Sequence, residues 1–278
     1  MFVIGHNGDD VNEYKLTTGF DISTATFVDS FDTESEDNDS RDVKFNQNGT
    51  KMFVLGKQND RVCEYTLSTG FDVSSTVTFV DCASVSEESM PDELEFNPDG
   101  TKMFVMGESG DDVNEYTLST GFDVSTASFV DSYSVSSQED TPTGLAFTYD
   151  GTKMFVVGWT GEDVNQYKLS TGFDVSTATF VDSFSITDQD DEPGSLAFSS
   201  DGSKLFLLGR ENNKVYEYSL TCYYGVINCM DPTSDKDDVA SVEAQTESAK
   251  QLIQHTTYPV LNRMEWICLL YTSDAADE

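Results

Sequence analysis

The chain has 278 residues, with 51 Asp and Glu against 15 Lys and Arg, and a formal net charge of -36. A surface this negative makes nucleic acid and anionic membranes poor partners. Apolar residues make up 37% of the chain and aromatic residues 12%, which is more than a disordered acidic tail contains. No apolar run reaches the roughly 18 residues of a membrane-spanning helix, so we expect a folded acidic protein without membrane insertion.

A repeat organises most of the chain. Met-Phe-Val, or Leu-Phe-Leu in the last copy, recurs every 51 residues, beginning at positions 1, 52, 103, 154 and 205. The copy around Met154 shows the order of its predicted elements, which are a strand at Leu145–Phe147, an Asp150–Gly151 turn, and further strands at Lys153–Val157, Val164–Leu169 and Ala178–Phe184. The Asp-Gly pair between two apolar runs predicts a tight hairpin.

Four short antiparallel strands in each repeat of 51 residues are typical of β-propeller blades. Leucine-rich and ankyrin repeats are shorter and contain helical periodicity, which these segments lack. The predicted fold class is therefore all-β, a β-propeller of about five four-stranded antiparallel blades, some of them incomplete, with a short C-terminal helix.

The segment from Phe96 to Val105 reads Phe-Asn-Pro-Asp-Gly-Thr-Lys-Met-Phe-Val. It resembles a recurring element of the YVTN and lactonase-like propeller families, and the resemblance extends over roughly residues 1 to 220. The resemblance implies the propeller fold and makes lactonases the enzymatic relatives. The motif marks a hairpin, so it transfers no site residues.

The predicted blades occupy residues 1–230, and the first lacks its innermost strand. Met1 aligns with Met52 and Met103 and is followed at once by repeat sequence without a leader. We interpret Met1 as a repeat methionine of a truncated chain. An open arc of blades exposes two apolar blade faces, which predicts self-association through those open edges.

The repeat stops before Thr221–Cys229, which stands where the fourth strand of blade five is expected. Residues 231–267 form a predicted helical linker or neck, with a helix from Asp231 to His255 capped by Ser234. This helix either packs on the blade edge or leads to a further domain. Residues 268–278 resemble a translated sequencing adapter, which indicates an artefactual tail and an origin in assembled environmental reads.

The cysteines form two candidate disulfides. Cys63 and Cys82 fall on the third and fourth strands of one repeat, opposite each other across a hairpin, and Cys222 and Cys229 can close a small loop. Two bridges predict an extracytoplasmic or secreted protein. The alternative is four buried free thiols in a cytosolic protein.

Acidic loops cluster on one predicted rim of the blades, where hard cations such as Ca²⁺ find carboxylate ligands. The candidate metal ligands are Asp37, Asp39, Asp111, Asp112, Asp188 and Asp190. The run from Asp37 begins like a calcium loop but places Arg41 at the third ligand position. The alternative is a solvated acidic surface without a specific cation.

No catalytic constellation can be assembled, because the two histidines, His6 and His255, lie in unrelated contexts. One position of the first strand differs from repeat to repeat, and reads Lys44, Glu95, Ala146 and Ala197. This variation either tunes a central channel or is drift. The leading hypothesis is a non-enzymatic scaffold that binds a protein or glycan. The alternative is a metal-dependent, lactonase-like hydrolase that uses carboxylates at the channel mouth.

Overall fold

The computed structural model describes residues 1–4, 8–187, 190–199, 204–211, 214–219, 256–259 and 266–268. Its strands form five antiparallel sheets of four strands each. In chain order the strands are β1 (Phe2–Ile4), β2 (Asp10–Leu16), β3 (Ala25–Asp32), β4 (Ser40–Phe45), β5 (Lys51–Gly56), β6 (Arg61–Leu67), β7 (Val77–Ser84), β8 (Pro91–Phe96), β9 (Lys102–Gly107), β10 (Asp112–Leu118), β11 (Ala127–Ser134), β12 (Pro142–Phe147), β13 (Lys153–Gly158), β14 (Asp163–Leu169), β15 (Ala178–Ser185), β16 (Pro193–Phe198), β17 (Lys204–Gly209), β18 (Lys214–Ser219), β19 (Thr256–Pro259) and β20 (Trp266–Cys268). The predicted all-β class and the four-stranded blades are confirmed.

Blades two, three and four are each continuous in sequence, and consist of β4–β7, β8–β11 and β12–β15. Blade five is β16–β17–β18–β19, and blade one is β20–β1–β2–β3. Single 3-10 turns at Ile22–Thr24, Val124–Thr126 and Val175–Thr177 precede the outermost strands of blades one, three and four. Within the described ranges, no helix is long and apolar enough to cross a membrane.

The tight turns of blades two, three and four, at Asn48–Gly49, Asp99–Gly100 and Asp150–Gly151, depend on their glycines. Gly100 has φ +68°, a left-handed conformation that residues with a Cβ rarely adopt. A Cβ atom at Gly100 would also collide with the ring of Phe122, which lies against the turn. Glycine therefore allows both the turn geometry and the close approach of the aromatic loop.

Aromatic rings pack across the blade interfaces. Phe122 lies 5.9 Å from Phe53 of blade two, and Phe173 lies 6.2 Å from Phe104 of blade three, between ring centroids. Phe53 and Phe104 are completely buried. The loops that carry Phe122 and Phe173 therefore pack between blades.

A buried ion pair joins each of these interfaces as well. Lys51 and Glu64 of blade two contact each other at 2.7 Å. The Lys51 Nζ donates to the Phe122 carbonyl at 2.6 Å, and the Glu64 carboxylate accepts from the Val124 N–H at 3.2 Å. The same contacts join blades three and four through Lys102, Glu115, Phe173 and Val175. Each pair therefore satisfies polar backbone groups of the following blade.

The ring closes between blades five and one. Lys204 of blade five donates to the Phe20 carbonyl at 3.2 Å, and the Phe206 ring lies 6.4 Å from the Phe20 ring. Strand β20 pairs antiparallel with β1 and is the innermost strand of blade one. The predictions that blade one lacks its innermost strand and that two blade faces are open are therefore wrong. A distant segment supplies the strand, and the two end blades cover each other.

The C-terminal region also differs from the prediction. Strand β19 pairs with β18, in the place assigned to Thr221–Cys229. Both β19 and most of β20 lie within the range 231–267, so a helical neck is wrong for those residues. The predicted helix at 231–255 and Thr221–Cys229 itself lie outside the described residues. Cys268, the first residue of the predicted artefactual tail, ends β20.

Candidate ligand site at the mouth of the central channel

The innermost strands β4, β8, β12, β16 and β20 surround the axis of the ring. Repeat-equivalent positions on these strands differ between blades, and read Arg41, Asp92, Thr143 and Gly194, then Asp42, Glu93, Gly144 and Ser195, then Lys44, Glu95, Ala146 and Ala197. Blades two and three therefore present charged side chains to the axis, and blades four and five present small neutral ones. The channel is asymmetric although the blades are repeats.

Lys44 organises the charged wall. Its Nζ lies 3.3 Å from Asp42, 3.1 Å from Glu93 and 2.9 Å from Glu95. Burial raises the pKa of Glu93 well above its usual range, and the neighbouring Asp42 carboxylate raises it further while Lys44 opposes both effects. Burial likewise raises the pKa of Glu95. One ammonium group therefore balances three carboxyl groups.

Glu93 also crosses the ring. Its Oε2 accepts a hydrogen bond from the Ser195 hydroxyl of blade five at 3.0 Å, although blade four lies between them. Blade four carries Gly144 at the equivalent position, where a Cβ atom would press against the Ser195 backbone. Because Gly144 has no side chain, β12 and β16 approach closely and Glu93 reaches across. The centre of the channel is filled by this polar network.

A second cluster lies where the innermost strands begin. Asp92 is completely buried, and its carboxylate lies 3.1 Å from Lys57 and 3.6 Å from Arg41. Lys57 also contacts Glu108 at 3.3 Å. Arg41 in turn pairs with Asp39 at 2.7 Å. The acidic and basic groups on this side of the mouth are therefore paired with each other.

The other side of the mouth is aromatic. The Arg210 guanidinium lies 4.6 Å from the centroid of the Trp159 ring, within the range of a cation–π contact. The Trp159 Nε1 is buried and has no hydrogen-bond partner among the described residues. We call Arg41, Lys57, Asp92, Glu108, Trp159 and Arg210 the mouth cluster. Burial and the nearby Arg41 lower the pKa of Arg210.

Asp92 makes the stability of the protein depend on pH. Burial raises the pKa of Asp92 from 3.8 to about 6, although Lys57 opposes the shift. The native protein therefore keeps a proton that the unfolded chain loses, and the free energy of unfolding falls as the pH rises from about 4 to about 6. We expect Asp92→Asn to remove about 2–3 kcal/mol of this pH dependence, as measured by urea unfolding from pH 4 to pH 7.

Asp99 provides a control of opposite sign. Hydrogen bonds from Thr101 lower the pKa of this exposed carboxyl group, so its contribution to stability is present above its unfolded pKa and is lost as the pH falls. Asp99→Asn should therefore leave the Asp92-dependent slope intact. An Asp92→Asn protein with the wild-type pH profile would contradict the assignment.

One acidic residue in each of four rim loops holds the loop backbone in place. The Asp37 carboxylate accepts hydrogen bonds from the backbone N–H groups of Asp39 at 3.0 Å and Asn59 at 3.0 Å. Asp190 likewise accepts from the N–H groups of Glu192 at 3.0 Å and Glu211 at 3.2 Å. Glu88 and Glu139 make equivalent contacts in the other blades. These carboxylates hold the rim loops by satisfying their backbone donors.

The remaining predicted metal ligands do not join Asp37 and Asp190. Asp39 pairs with Arg41, and Asp112 accepts from the Asn114 side chain at 2.7 Å. Asp111 has φ 49°, and burial raises its pKa. The described part of the chain contains no group of three or more His, Cys, Asp or Glu side chains that could hold a metal ion. Asp188 lies outside the described residues, so a calcium site that includes it stays a prediction; His6 and His255 also lie outside the described residues.

Cys63 and Cys82 face each other directly across β6 and β7 and form a disulfide, with the Cα atoms 4.1 Å apart. The first predicted bridge is confirmed. Cys222 and Cys229 lie outside the described residues.

We expect the double variant Cys63→Ser, Cys82→Ser to lose about 3 kcal/mol of unfolding free energy. The bridge closes a loop with a sequence separation of 19 residues, which limits the freedom of the unfolded chain by about this amount. Urea unfolding with and without a reductant measures the effect. Reduction should destabilise the wild type by at least as much as the substitutions do; a variant as stable as the oxidised wild type, or a wild type that keeps its unfolding free energy on reduction, would contradict this.

No family model and no curated protein matches this chain. Among solved structures, a protein from Lactobacillus plantarum is 13% identical with a TM-score of 0.52, and the match covers 78% of this chain and 63% of that one. The fold is a five-bladed β-propeller. Two further matches are a functionally unknown protein from Desulfotomaculum acetoxidans, at 13% identity, TM-score 0.48 and coverage of 80% and 63%, and the periplasmic gluconolactonase of Pseudomonas aeruginosa, at 15% identity, TM-score 0.46 and coverage of 78% and 65%.

This chain spans 63% of the length of the Lactobacillus plantarum protein and 63% of the length of the Desulfotomaculum acetoxidans protein. The match to the Lactobacillus plantarum protein, at 13% identity and a TM-score of 0.52, establishes similarity of fold and says nothing of activity. The predicted propeller fold is confirmed by the sheet topology.

Reasoning from the sequence missed the mouth cluster. The sequence signal for this cluster is the variation between repeats. It occurs at the position of Lys44 and also at the position after each second strand. That position reads Lys57, Glu108, Trp159 and Arg210. A comparison of every position across the blades would have found it.

Proposed function

We propose that this propeller is an extracytoplasmic ligand-binding scaffold, and that its mouth cluster binds a small polar ligand of the carbohydrate class. The observation that carries the proposal is a repeated position at which four blades supply Lys57, Glu108, Trp159 and Arg210. The preceding residue is glycine in all four blades, so equivalent backbone positions present four different side chains and form one asymmetric site in a repetitive framework.

The chemistry of the cluster suits a sugar ring. Trp159 is partly exposed and supplies aromatic surface beside the Arg210 guanidinium. Asp92, Glu108 and Lys57 form a network of charged donors and acceptors at the same mouth. Aromatic surface with a few convergent polar groups is the usual composition of small-ligand sites. The Lys44 network below fills the channel, which restricts a ligand to the mouth.

The disulfide supports the compartment. Disulfides persist in oxidising environments and are rare in the cytosol. The Cys63–Cys82 bridge favours an extracytoplasmic location. Exposure to extracellular or periplasmic sugars is consistent with the proposed ligand class.

The contacts at the mouth favour binding over metal-dependent hydrolysis. The Asp92 and Glu108 carboxylates, which a metal would require, contact Lys57, and Asp92 also contacts Arg41. These cationic side chains occupy the surroundings of both carboxylates. A metal ion would have to displace them, at the cost of leaving buried charges unpaired.

Calorimetric titration with monosaccharides, disaccharides and aldonolactones tests the proposal, with lactone turnover assayed in parallel with and without added Ca²⁺. We expect Trp159→Ala to weaken saturable sugar binding by about tenfold, which corresponds to about 1.4 kcal/mol. Tyr149→Ala is the matched control, because Tyr149 is a 68% exposed aromatic residue beside the Asp150–Gly151 turn, away from the mouth.

Equal effects of the two substitutions, or the absence of saturable binding across the panel, would refute the mouth site. Lactone turnover that requires Ca²⁺ would establish the hydrolase instead. Saturable binding that depends on Trp159 without turnover is the expected outcome.

A further inference from the structure

Apolar side chains are exposed at the same place on four blades. The outermost strands β3, β7, β11 and β15 each carry a Phe-Val pair, and the four phenylalanines are 42–57% exposed. We call these pairs the Phe–Val belt, which consists of Phe27, Val28, Phe79, Val80, Phe129, Val130, Phe180 and Val181. Repeated exposed apolar groups at one level of a surface mark a binding region more often than scattered ones do.

A β-bulge exposes both members of the pair in blades one, two and three, whereas Val181 of blade four is half-buried. In blade three, Asp131 faces Glu115 and Phe129 faces Tyr116, so Val130 is an extra residue without a partner on β10. In a regular strand, consecutive side chains point to opposite faces, and a bulge re-aims one of them. The same shift occurs on β3, β7 and β15.

Each exposed phenylalanine is held in place. The Phe129 ring lies edge-on to the Tyr116 ring, with centroids 5.8 Å apart, and Tyr116 is buried. The corresponding pairs in the other three blades have centroids 5.7–5.8 Å apart. One side of the ring is fixed by the blade and the other faces solvent, so a partner can bind it with little loss of side-chain freedom.

The charge beside the belt selects the partner. An exposed aspartate follows each pair, namely Asp29, Asp81, Asp131 and Asp182. Its carboxylate accepts from the N–H of the following residue at 2.8–2.9 Å, which fixes its position. With a net charge of -36, a second copy of the chain would be repelled. A partner with basic residues beside apolar ones is complementary to each site.

We propose that the Phe–Val belt is a docking surface for a cationic protein partner whose binding segments place Lys or Arg next to apolar side chains. The apolar groups of the partner pack on the exposed Phe and Val, and its cations pair with the adjacent Asp. Four equivalent sites around one ring allow multivalent attachment, in which the second and later contacts form at high effective concentration.

Fluorescence anisotropy with a short labelled peptide of alternating Lys and Leu tests this at about 150 mM salt, with a lysine-only peptide of equal charge for comparison. We expect the fourfold Phe→Ser variant at positions 27, 79, 129 and 180 to bind the Lys-Leu peptide about tenfold more weakly than the wild type does. The control replaces the preceding residues Thr26, Thr78, Ser128 and Thr179 by Ala and should bind normally. Thermal unfolding verifies that each variant is folded.

A second variant keeps the test decisive if the first does not fold. Asp→Asn at positions 29, 81, 131 and 182 should weaken Lys-Leu binding and reduce its salt dependence. Unchanged binding by either folded variant would overturn the proposal, as would equally tight binding of the lysine-only peptide. Belt-dependent dimers of the wild type in sedimentation would also overturn it, because they would make a second copy the occupant.

Discussion

Replacing Lys44 by methionine is expected to destabilise the protein by about 3–5 kcal/mol at pH 8, the usual cost of leaving buried charges without their partner. Methionine keeps much of the apolar stem but removes the ammonium group that contacts Asp42, Glu93 and Glu95. The Glu93 side chain is completely buried. Three carboxyl groups would then face one another in a site that excludes most water, and urea unfolding measures the loss.

The dependence of the unfolding free energy on pH provides a further test of this prediction. Without Lys44, the folded-state pKa values of Glu93 and Glu95 rise further above their unfolded values, because Lys44 opposes the effect of burial on both. Native protein then binds more protons than unfolded protein, so the unfolding free energy of the variant falls more steeply with rising pH than that of the wild type. Adding Glu93→Gln to Lys44→Met should recover part of the stability at pH 8, because it removes one uncompensated charge.

Lys15→Met is the matched control, since Lys15 is an exposed lysine of blade one. It changes the net charge equally and should alter stability by no more than about 0.5 kcal/mol. If Lys44→Met behaved like Lys15→Met, or lost the same stability at pH 5 as at pH 8, the charge-balancing role of Lys44 would be wrong.

Phe104→Ala is expected to cost about 3–5 kcal/mol, as complete burial of a large aromatic side chain implies. Phe104 is 0% exposed and packs on Phe147 and Phe173 of blade four, with centroids 4.5 and 6.2 Å away. Alanine leaves a cavity at the interface of blades three and four. The lost contacts therefore weaken the attachment between blades as well as the interior of blade three.

Phe129→Ala provides the comparison, because it removes the same atoms from a ring that is 42% exposed on the outer edge of the same blade. Its cost should stay near 1 kcal/mol or below, since much less apolar area leaves water. Thermal and urea unfolding of both variants measure the difference. Similar losses for the two would contradict the placement of Phe104 at a closed interface.

The disulfide and the mouth cluster show what could and what could not be predicted from the sequence. Cys63 and Cys82 could be paired in advance, because hairpin register places the positions opposite each other once the strands are identified. The meeting of Asp92 and Trp159 at the mouth could not be predicted in this way, because the two residues belong to different blades and no local sequence pattern relates them. The observed role of Asp37 and Asp190, which were predicted as calcium ligands, could not be inferred from the sequence for a related reason. A carboxylate near a loop can bind a cation or backbone N–H groups, and the sequence does not distinguish the two.

The sequence by itself determined the period of 51 residues, the four strands of blades two, three and four, and the Asp-Gly turns, because these depend on side-chain alternation, turn geometry and neighbours close along the chain. Only the tertiary structure decided the closure of the ring, in which β20 completes blade one, and the contact from Glu93 to Ser195 across Gly144. These depend on how many blades fit around the axis and on which side chains meet there. Packing in three dimensions sets both, and neither leaves a local pattern in the sequence.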